Sequence, residues 1–156
     1  MDMEILEQYC SKFEKLHPNR VRNGAGGLIS APHKPVLLLS VMDLIGNGLI
    51  NDNEIVLSDQ LEHSFDEHWD IFVSESQRDV GFRPDIKKPF YHLKNLGKPW
   101  QKEPFWHHEP EISDFRDLKM VRYAYLDEEL FKMMQSEKVR EQLTEVLKET
   151  YFSESP

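Results

Sequence analysis

The fold of this chain is decided by residues 35–45, whose sequence is PVLLLSVMDLI. Pro35 suits the first turn of a helix, where the N–H that proline lacks has no partner within the helix. The run ends at Gly46-Asn47-Gly48, a sequence typical of a helix end. Because apolar side chains surround nearly the whole helix, we predict that it lies in the core.

The rest of the chain predicts an α+β fold that is mainly helical and has a small antiparallel sheet. Apolar spacing predicts further helices over residues 3–16, 58–73, 126–134 and 136–152, with Ser58 and Ser136 as N-caps. The predicted β-structure is a strand at Glu54–Leu57 and a hairpin made of Phe90–Leu93, a turn at Asn95–Lys98, and Pro99–Gln101. Helix, strand, helix and hairpin in this order indicate a winged-helix-like arrangement.

Length and composition indicate one domain over residues 1–152 of the 156. Residues 153–156, SESP, read as the start of a linker to a further domain. The single cysteine, Cys10, excludes an internal disulfide framework and favours the cytoplasm, where we expect a core thiol. No apolar run approaches the length of a membrane span, and the acidic start lacks the basic region of a signal peptide.

Charge is distributed in blocks, although the net charge is −9. Residues 15–34 contain four basic residues and no acidic one, and residues 35–77 contain nine acidic residues and no basic one. Residues 78–104 contain seven basic residues against three acidic ones. Such separation can place a basic patch on an acidic protein, and the local field steers a charged ligand. Ordinary alternation of solvated faces explains the same pattern, so both interpretations stay open.

Two Lys-Pro steps are the candidate binding elements. His33 and Lys34 lie at the start of the core helix, where free backbone N–H groups favour an anion, unless the flanking prolines only shape a tight turn. Around Lys88-Pro89, a proline ring beside aromatic surface would form a small apolar pocket bordered by cations. A phosphate oxygen prefers hydrogen-bond donors, whereas such a pocket suits an anion with one large, weakly hydrated atom.

Other candidate sites have weaker support. His107-His108-Glu109 has metal-binding residue types but no cysteine partners, and we expect a loop there rather than a metal site. His63 and His68 are five residues apart and do not share a helix face. No nucleophile, phosphate-loop or dinucleotide motif occurs in the sequence.

The sequence resembles the N-terminal region of McrA-like HNH restriction endonucleases. The matching pieces cover residues 30–106 and are 31–39 (APHKPVLLL), 43–45 (DLI), 55–58 (IVLS), 83–84 (RP), 89–93 (PFYHL) and 104–106 (PFW). Residues 125–131 look like the helical connection that precedes the nuclease domain. In that family this region is the sulfur-binding domain, which recognises duplex DNA with a phosphorothioate in its backbone.

The resemblance implies site residues by position. The sulfur and its phosphate would be bound by His33, Lys34, Arg83, Lys88, Pro89 and Tyr91. Further DNA contacts would come from Arg20, Arg22, Asn23, Gly24, Ser30, Lys87 and His92. The family often has an aromatic residue where this chain has Lys88, and an arginine where it has Lys34.

We therefore expect a binding module without catalytic residues, cofactor or metal, whose partner is phosphorothioate-containing double-stranded DNA. HNH cleavage, with its divalent metal, would reside in a C-terminal domain that this chain does not contain, and a homodimer through the full-length protein is left open. One alternative is a winged-helix-like protein-interaction module that uses the acidic face from Asp43 to Glu75. Another is a metal-dependent hydrolase that uses His107 and His108.

Overall fold

The computed structural model describes residues 3–94 and 104–152. Its α-helices are α1 (Met3–Glu14), α2 (His33–Gly46), α3 (Asp59–Phe72), α4 (Glu75–Asp79), α5 (Lys87–His92), α6 (Glu128–Met133) and α7 (Glu137–Leu147). Its strands are β1 (Arg20–Arg22), β2 (Leu28–Ser30), β3 (Trp106–Glu109) and β4 (Tyr123–Leu126). A 3-10 helix spans Phe115–Met120, and a π-helical turn spans Lys148–Phe152. The predicted class, α+β and mainly helical, is confirmed.

Helix α2 is the core helix that its composition predicts. Ten of its fourteen residues are buried, and it packs against α3, α5 and α7. The buried hydroxyl of Ser40 donates to the backbone oxygen of Val36 at 2.8 Å, so this polar group costs little in the interior. The helix begins at His33, two residues before the predicted proline, and both His33 and Lys34 therefore lie in its first turn.

Two helices begin at the predicted serine caps. The Ser58 hydroxyl accepts from the backbone N–H of Leu61 at 3.1 Å, and the Ser136 hydroxyl accepts from that of Val139 at 3.4 Å. Each bond satisfies one of the N–H groups that a helix start leaves free, which is worth about 1 kcal/mol. Helix α1 packs against α7, so the first helix of the chain contacts the last α-helix. None of the helices among the described residues is long and apolar enough to cross a bilayer.

The predicted hairpin beginning at Phe90 is wrong in its first strand, because these residues form helix α5. Ile86, Phe90 and Leu93 are buried and stand four and three residues apart, the spacing of one helix face. Pro89 is tolerated because it occupies the first turn. The rest of the predicted hairpin, residues 95–101, lies outside the described residues, as does the predicted linker at 153–156.

The β-structure consists of two antiparallel pairs, β1 with β2 and β3 with β4. The predicted strand Glu54–Leu57 is reduced to one bridge, between Ile55 and Ala124. Residues 107–109, predicted as a loop, belong to β3 instead. The glycine-rich stretch 23–27 is the exposed turn between β1 and β2. There the side-chain oxygen of Asn23 accepts from the backbone N–H groups of Ala25 and Gly27.

Candidate nucleic-acid interface

A cleft of about 420 Å³ opens where the start of α2, the exposed side of α5 and the base of the β1–β2 hairpin meet. Its lining consists of His17, Pro18, Asn19, Ala31, His33, Lys34, Phe82, Lys88, Pro89, His92 and Phe115. Five of these eleven residues are apolar, two are lysines and three are histidines. No acidic residue is among those eleven, so this apolar cleft is suited to an anion.

His33 forms one wall of the cleft. Its ring lies 4.8 Å from the Trp69 ring and 6.0 Å from the Phe82 ring, centroid to centroid. Its Nε2 donates to the backbone oxygen of Arg83 at 2.7 Å, because a carbonyl oxygen can only accept. Burial lowers the pKa of His33, so the neutral ring is favoured and Nδ1 carries no proton. His33 therefore offers ring surface to a ligand rather than a hydrogen-bond donor.

Lys34 faces the cleft and also holds the end of α1. Its Nζ donates to the backbone oxygen of Leu16 at 2.8 Å and lies 3.4 Å from that of His17. Burial lowers the pKa of this ammonium group to about 8. The charge of Lys34 therefore changes between about pH 7 and pH 9, and a bound phosphate would favour the charged form.

The opposite wall is helix α5, where the exposed Lys88 and His92 and the largely buried Pro89 line the cleft. Its buried side is held by two donors on β3 that share one acceptor. Trp106 Nε1 donates to the backbone oxygen of Phe90 at 2.9 Å, and His108 Nε2 donates to the same oxygen at 2.8 Å. No side chain caps the start of this short helix. The two hydrogen bonds to the Phe90 oxygen therefore help to hold α5, and with it the neighbouring Pro89, in position.

The hairpin of β1 and β2 rises from the rim of the cleft. The backbone N–H of Ala31 donates to the oxygen of Asn19 at 2.7 Å and closes its base, and both of these residues line the cleft. Arg20 and Arg22 are exposed on β1, two residues apart and hence on one face of the strand. The predicted DNA contacts Asn23 and Gly24 lie in the turn, and Ser30 pairs with Arg20 at the base.

The structure brings five predicted site residues to this cleft, namely His33, Lys34, Lys88, Pro89 and His92. Tyr91 does not line it, which corrects the predicted cavity wall. Its ring is buried behind the lining, against Phe115 and His108. Arg83 is exposed and joins the site through its backbone oxygen, and Lys87 is exposed on α5 beside Lys88.

Sequence reasoning missed the aromatic and hairpin-base part of the lining. Phe82 and Phe115 contribute ring surface, and the segment 17–19 contributes the rim under the hairpin. Phe82 directly precedes Arg83, so its place in the basic block was a usable signal. Phe115 is brought in by tertiary packing on α5, for which the local sequence carries no signal.

The histidines outside the cleft have structural partners. His107 Nε2 lies 2.7 Å from Asp127 Oδ1, His63 lies 2.9 Å from Glu67, and His68 Nδ1 donates to the backbone oxygen of Ser64. Within residues 3–94 and 104–152, no group of three or more His, Cys, Asp or Glu is arranged to hold a metal ion. The hydrolase alternative built on His107 and His108 gains no support from this geometry.

The acidic stretch from Asp43 to Glu75 lies outside the cleft lining, although Asp85 is close enough to act electrostatically on His33 and Asp114 directly precedes Phe115. Helix α3 carries several acidic residues of this stretch on its exposed side, namely Asp59, Glu62, Asp66, Glu67 and Asp70. None of these lines the cleft. The alternative that this face binds a basic protein partner stays a prediction.

Comparison with known proteins gives no family assignment. No protein-family model matches this chain, and no curated protein matches its sequence.

Proposed function

We propose that this chain is a DNA-recognition module that binds duplex DNA carrying a phosphorothioate linkage. The observation that carries the proposal is the shared cleft, in which the ring of Pro89 and the ring of His33 belong to one lining with Lys34 and Lys88. His33 and Lys34 are more than fifty positions away from Lys88 and Pro89 in the sequence. The packing of α2 against α5 brings the two pairs together.

The chemistry of the lining favours sulfur over oxygen. Replacing a non-bridging oxygen with sulfur keeps the negative charge but gives a larger, more polarizable and poorly hydrated atom. An apolar wall gains contact with that atom, whereas it leaves a phosphate oxygen without the donors that the oxygen had in water. One such contact discriminates by about 1–3 kcal/mol, or roughly tenfold to two hundredfold in affinity.

The cations around the cleft supply the part of the affinity that does not depend on sulfur. Lys34 and Lys88 lie in the cleft, while Arg20, Arg22 and Lys87 are exposed near it on the hairpin and on α5. Contacts of this kind neutralise phosphates and release counterions, so binding weakens as salt rises. In this arrangement the lysines attract the phosphates of the DNA backbone, and the apolar walls select the phosphorothioate linkage.

A pair of proline variants tests the proposal. Pro89 lines the cleft, whereas Pro84 is exposed in the same basic segment and does not line it. Two duplexes of identical sequence, one with a single phosphorothioate and one without, are titrated with each variant at one salt concentration. Pro89→Ala is expected to bring the ratio of the two affinities close to one, and Pro84→Ala to leave it at the unmodified protein's value. Equal ratios in the two variants would count against the proposed sulfur site.

A further inference from the structure

Phe115 is a large aromatic side chain that the fold leaves partly open to solvent. It begins the 3-10 helix and is 40% exposed. Its ring is nearly parallel to that of His92, with centroids 6.2 Å apart and an interplanar angle of 14°, and meets the Tyr91 ring edge-on at 5.6 Å. The backbone before it is held by Asp114, whose carboxylate accepts from the N–H of Arg116 at 2.8 Å.

This ring pair lies at the same cleft as the proposed phosphate site. Both Phe115 and His92 belong to the lining that contains Lys88 and Pro89. His92 and Pro89 both belong to α5, so the ring that contacts Phe115 and the proposed sulfur wall are parts of one helix. Burial lowers the pKa of His92, and the positive charges of Lys34, Lys88 and Lys94 lower it further, so a neutral ring is favoured beneath Phe115.

A nucleotide carries an anionic phosphate and a flat aromatic base within a few ångströms of each other. The cleft offers the matching pair of features, the cations Lys34 and Lys88 in the lining and the exposed aromatic ring of Phe115 in the same lining. Proteins that bind unstacked bases use such faces, and one stacked base is worth about fivefold to 150-fold in affinity.

From this juxtaposition we infer that Phe115, supported by His92, is a stacking site for the nucleobase next to the phosphate in the cleft. The base leaves the duplex stack and lies against the exposed face of the Phe115 ring. This inference rests on the proposed function for the position of the phosphate, but the stacking contact itself does not require sulfur.

A double-mutant cycle between protein and DNA tests the contact. One duplex has a normal base beside the phosphorothioate and a second has an abasic site there, and each is titrated with the unmodified protein and with Phe115→Ala. Phe115→Ala is expected to weaken binding of the normal duplex about fivefold to 150-fold and to bind the abasic duplex as the unmodified protein does. Equal losses on both duplexes would overturn the inference.

Three further variants make the cycle specific to the exposed ring. Met120→Ala removes another exposed apolar side chain of the same 3-10 helix, outside the cleft, and is expected to bind each of the two duplexes as the unmodified protein does. Phe115→Tyr is expected to retain the coupling and Phe115→Leu to lose most of it. 2-Aminopurine at the same position is expected to change its fluorescence differently on binding the unmodified protein and on binding Phe115→Leu; identical changes with the two proteins would overturn the inference.

The cycle is repeated on duplexes without sulfur, which separates the two proposals. Coupling to Phe115 on both kinds of duplex, with no preference for sulfur, would leave the stacking site standing and remove the proposed function. A clear sulfur preference with additive losses would remove the stacking site alone. A protein that binds neither duplex would contradict both.

Discussion

His33 and Arg83 are joined across fifty residues by a 2.7 Å hydrogen bond from the ring Nε2 to a backbone oxygen. This bond ties the first turn of α2 to the segment that leads into α5, and these are the two sides of the cleft. It also fixes which nitrogen carries the proton. The role of His33 that follows is that of a rigid wall, not of a phosphate donor.

Replacing His33 separates these roles. His33→Ala removes the ring that packs on Trp69 and is expected to abolish the preference for phosphorothioate, because the cleft loses one wall. His33→Phe keeps an apolar ring without the bond to Arg83, and we expect it to retain part of the preference. The measurement is the affinity ratio for the two matched duplexes. If the alanine variant discriminates as the unmodified protein does, His33 does not line the sulfur site.

Lys87 and Lys88 provide a matched pair on α5. Both are exposed, but only Lys88 lines the cleft. Lys88→Ala is expected to lower the slope of log affinity against log salt by about one and to weaken binding of both duplexes. Lys87→Ala removes the same charge outside the cleft, and we expect a smaller loss of affinity. A larger loss of affinity in Lys87→Ala than in Lys88→Ala would show that Lys87 is the one nearer to the modified phosphate.

The charge of Lys34 predicts a pH dependence of binding. With a pKa of about 8, this ammonium is mostly charged at pH 7 and mostly neutral at pH 9. A phosphate in the cleft stabilises the charged form, so affinity is expected to fall as pH rises from 7 to 9, by at most about tenfold per pH unit. Lys34→Gln is expected to flatten this profile, with Lys87→Gln as the control that leaves it unchanged. A profile that stays steep in Lys34→Gln assigns the titration to another group.

His108 predicts a pH dependence of stability. Burial lowers its pKa, so the unfolded chain takes up a proton at a pH where the folded chain does not. The contribution of neutral His108 to the free energy of unfolding is therefore complete above the ordinary histidine pKa of about 6.5. It declines as pH falls below that value. Chemical denaturation between pH 7 and 5.5 should show this decline. His108→Asn is expected to be less stable by about 0.5–1.5 kcal/mol at pH 7, because the Phe90 oxygen loses one of its two donors and keeps Trp106, and to show a shallower decline.

An exposed histidine is the control for that measurement. His63 lies on the surface of α3 beside Glu67, so His63→Asn is expected to keep the full decline. A His108→Asn variant with the same pH slope as the unmodified protein would show that another buried group causes the decline.

The fold was predictable where composition alone decides the structure. Residues 35–45 leave no polar face, so burial in the core follows from the sequence, and Ser58 and Ser136 cap the predicted helices. Phe90–Leu93 was misassigned because a short apolar run satisfies the pattern of a strand as well as that of a helix. Including Ile86 in the pattern would have favoured the helix, in which Tyr91 is buried and does not belong to the cleft lining.

The candidate site was predictable only where the local sequence marks it. The Lys-Pro steps at 34–35 and 88–89 are visible in the sequence, and the structure brings Lys34, Lys88 and Pro89 to one cleft. The exposed ring of Phe115 reaches the cleft through packing on His92 and Tyr91, which no local pattern encodes. The strands β1 and β2 are only three residues each, too short to show an alternating pattern.

The most direct measurement is the affinity of the unmodified protein for two duplexes that differ in one atom, sulfur or oxygen at a single backbone phosphate. At equal salt and pH, the account predicts that the sulfur-containing duplex binds about tenfold to two hundredfold more tightly. Identical affinities for the two duplexes would contradict it.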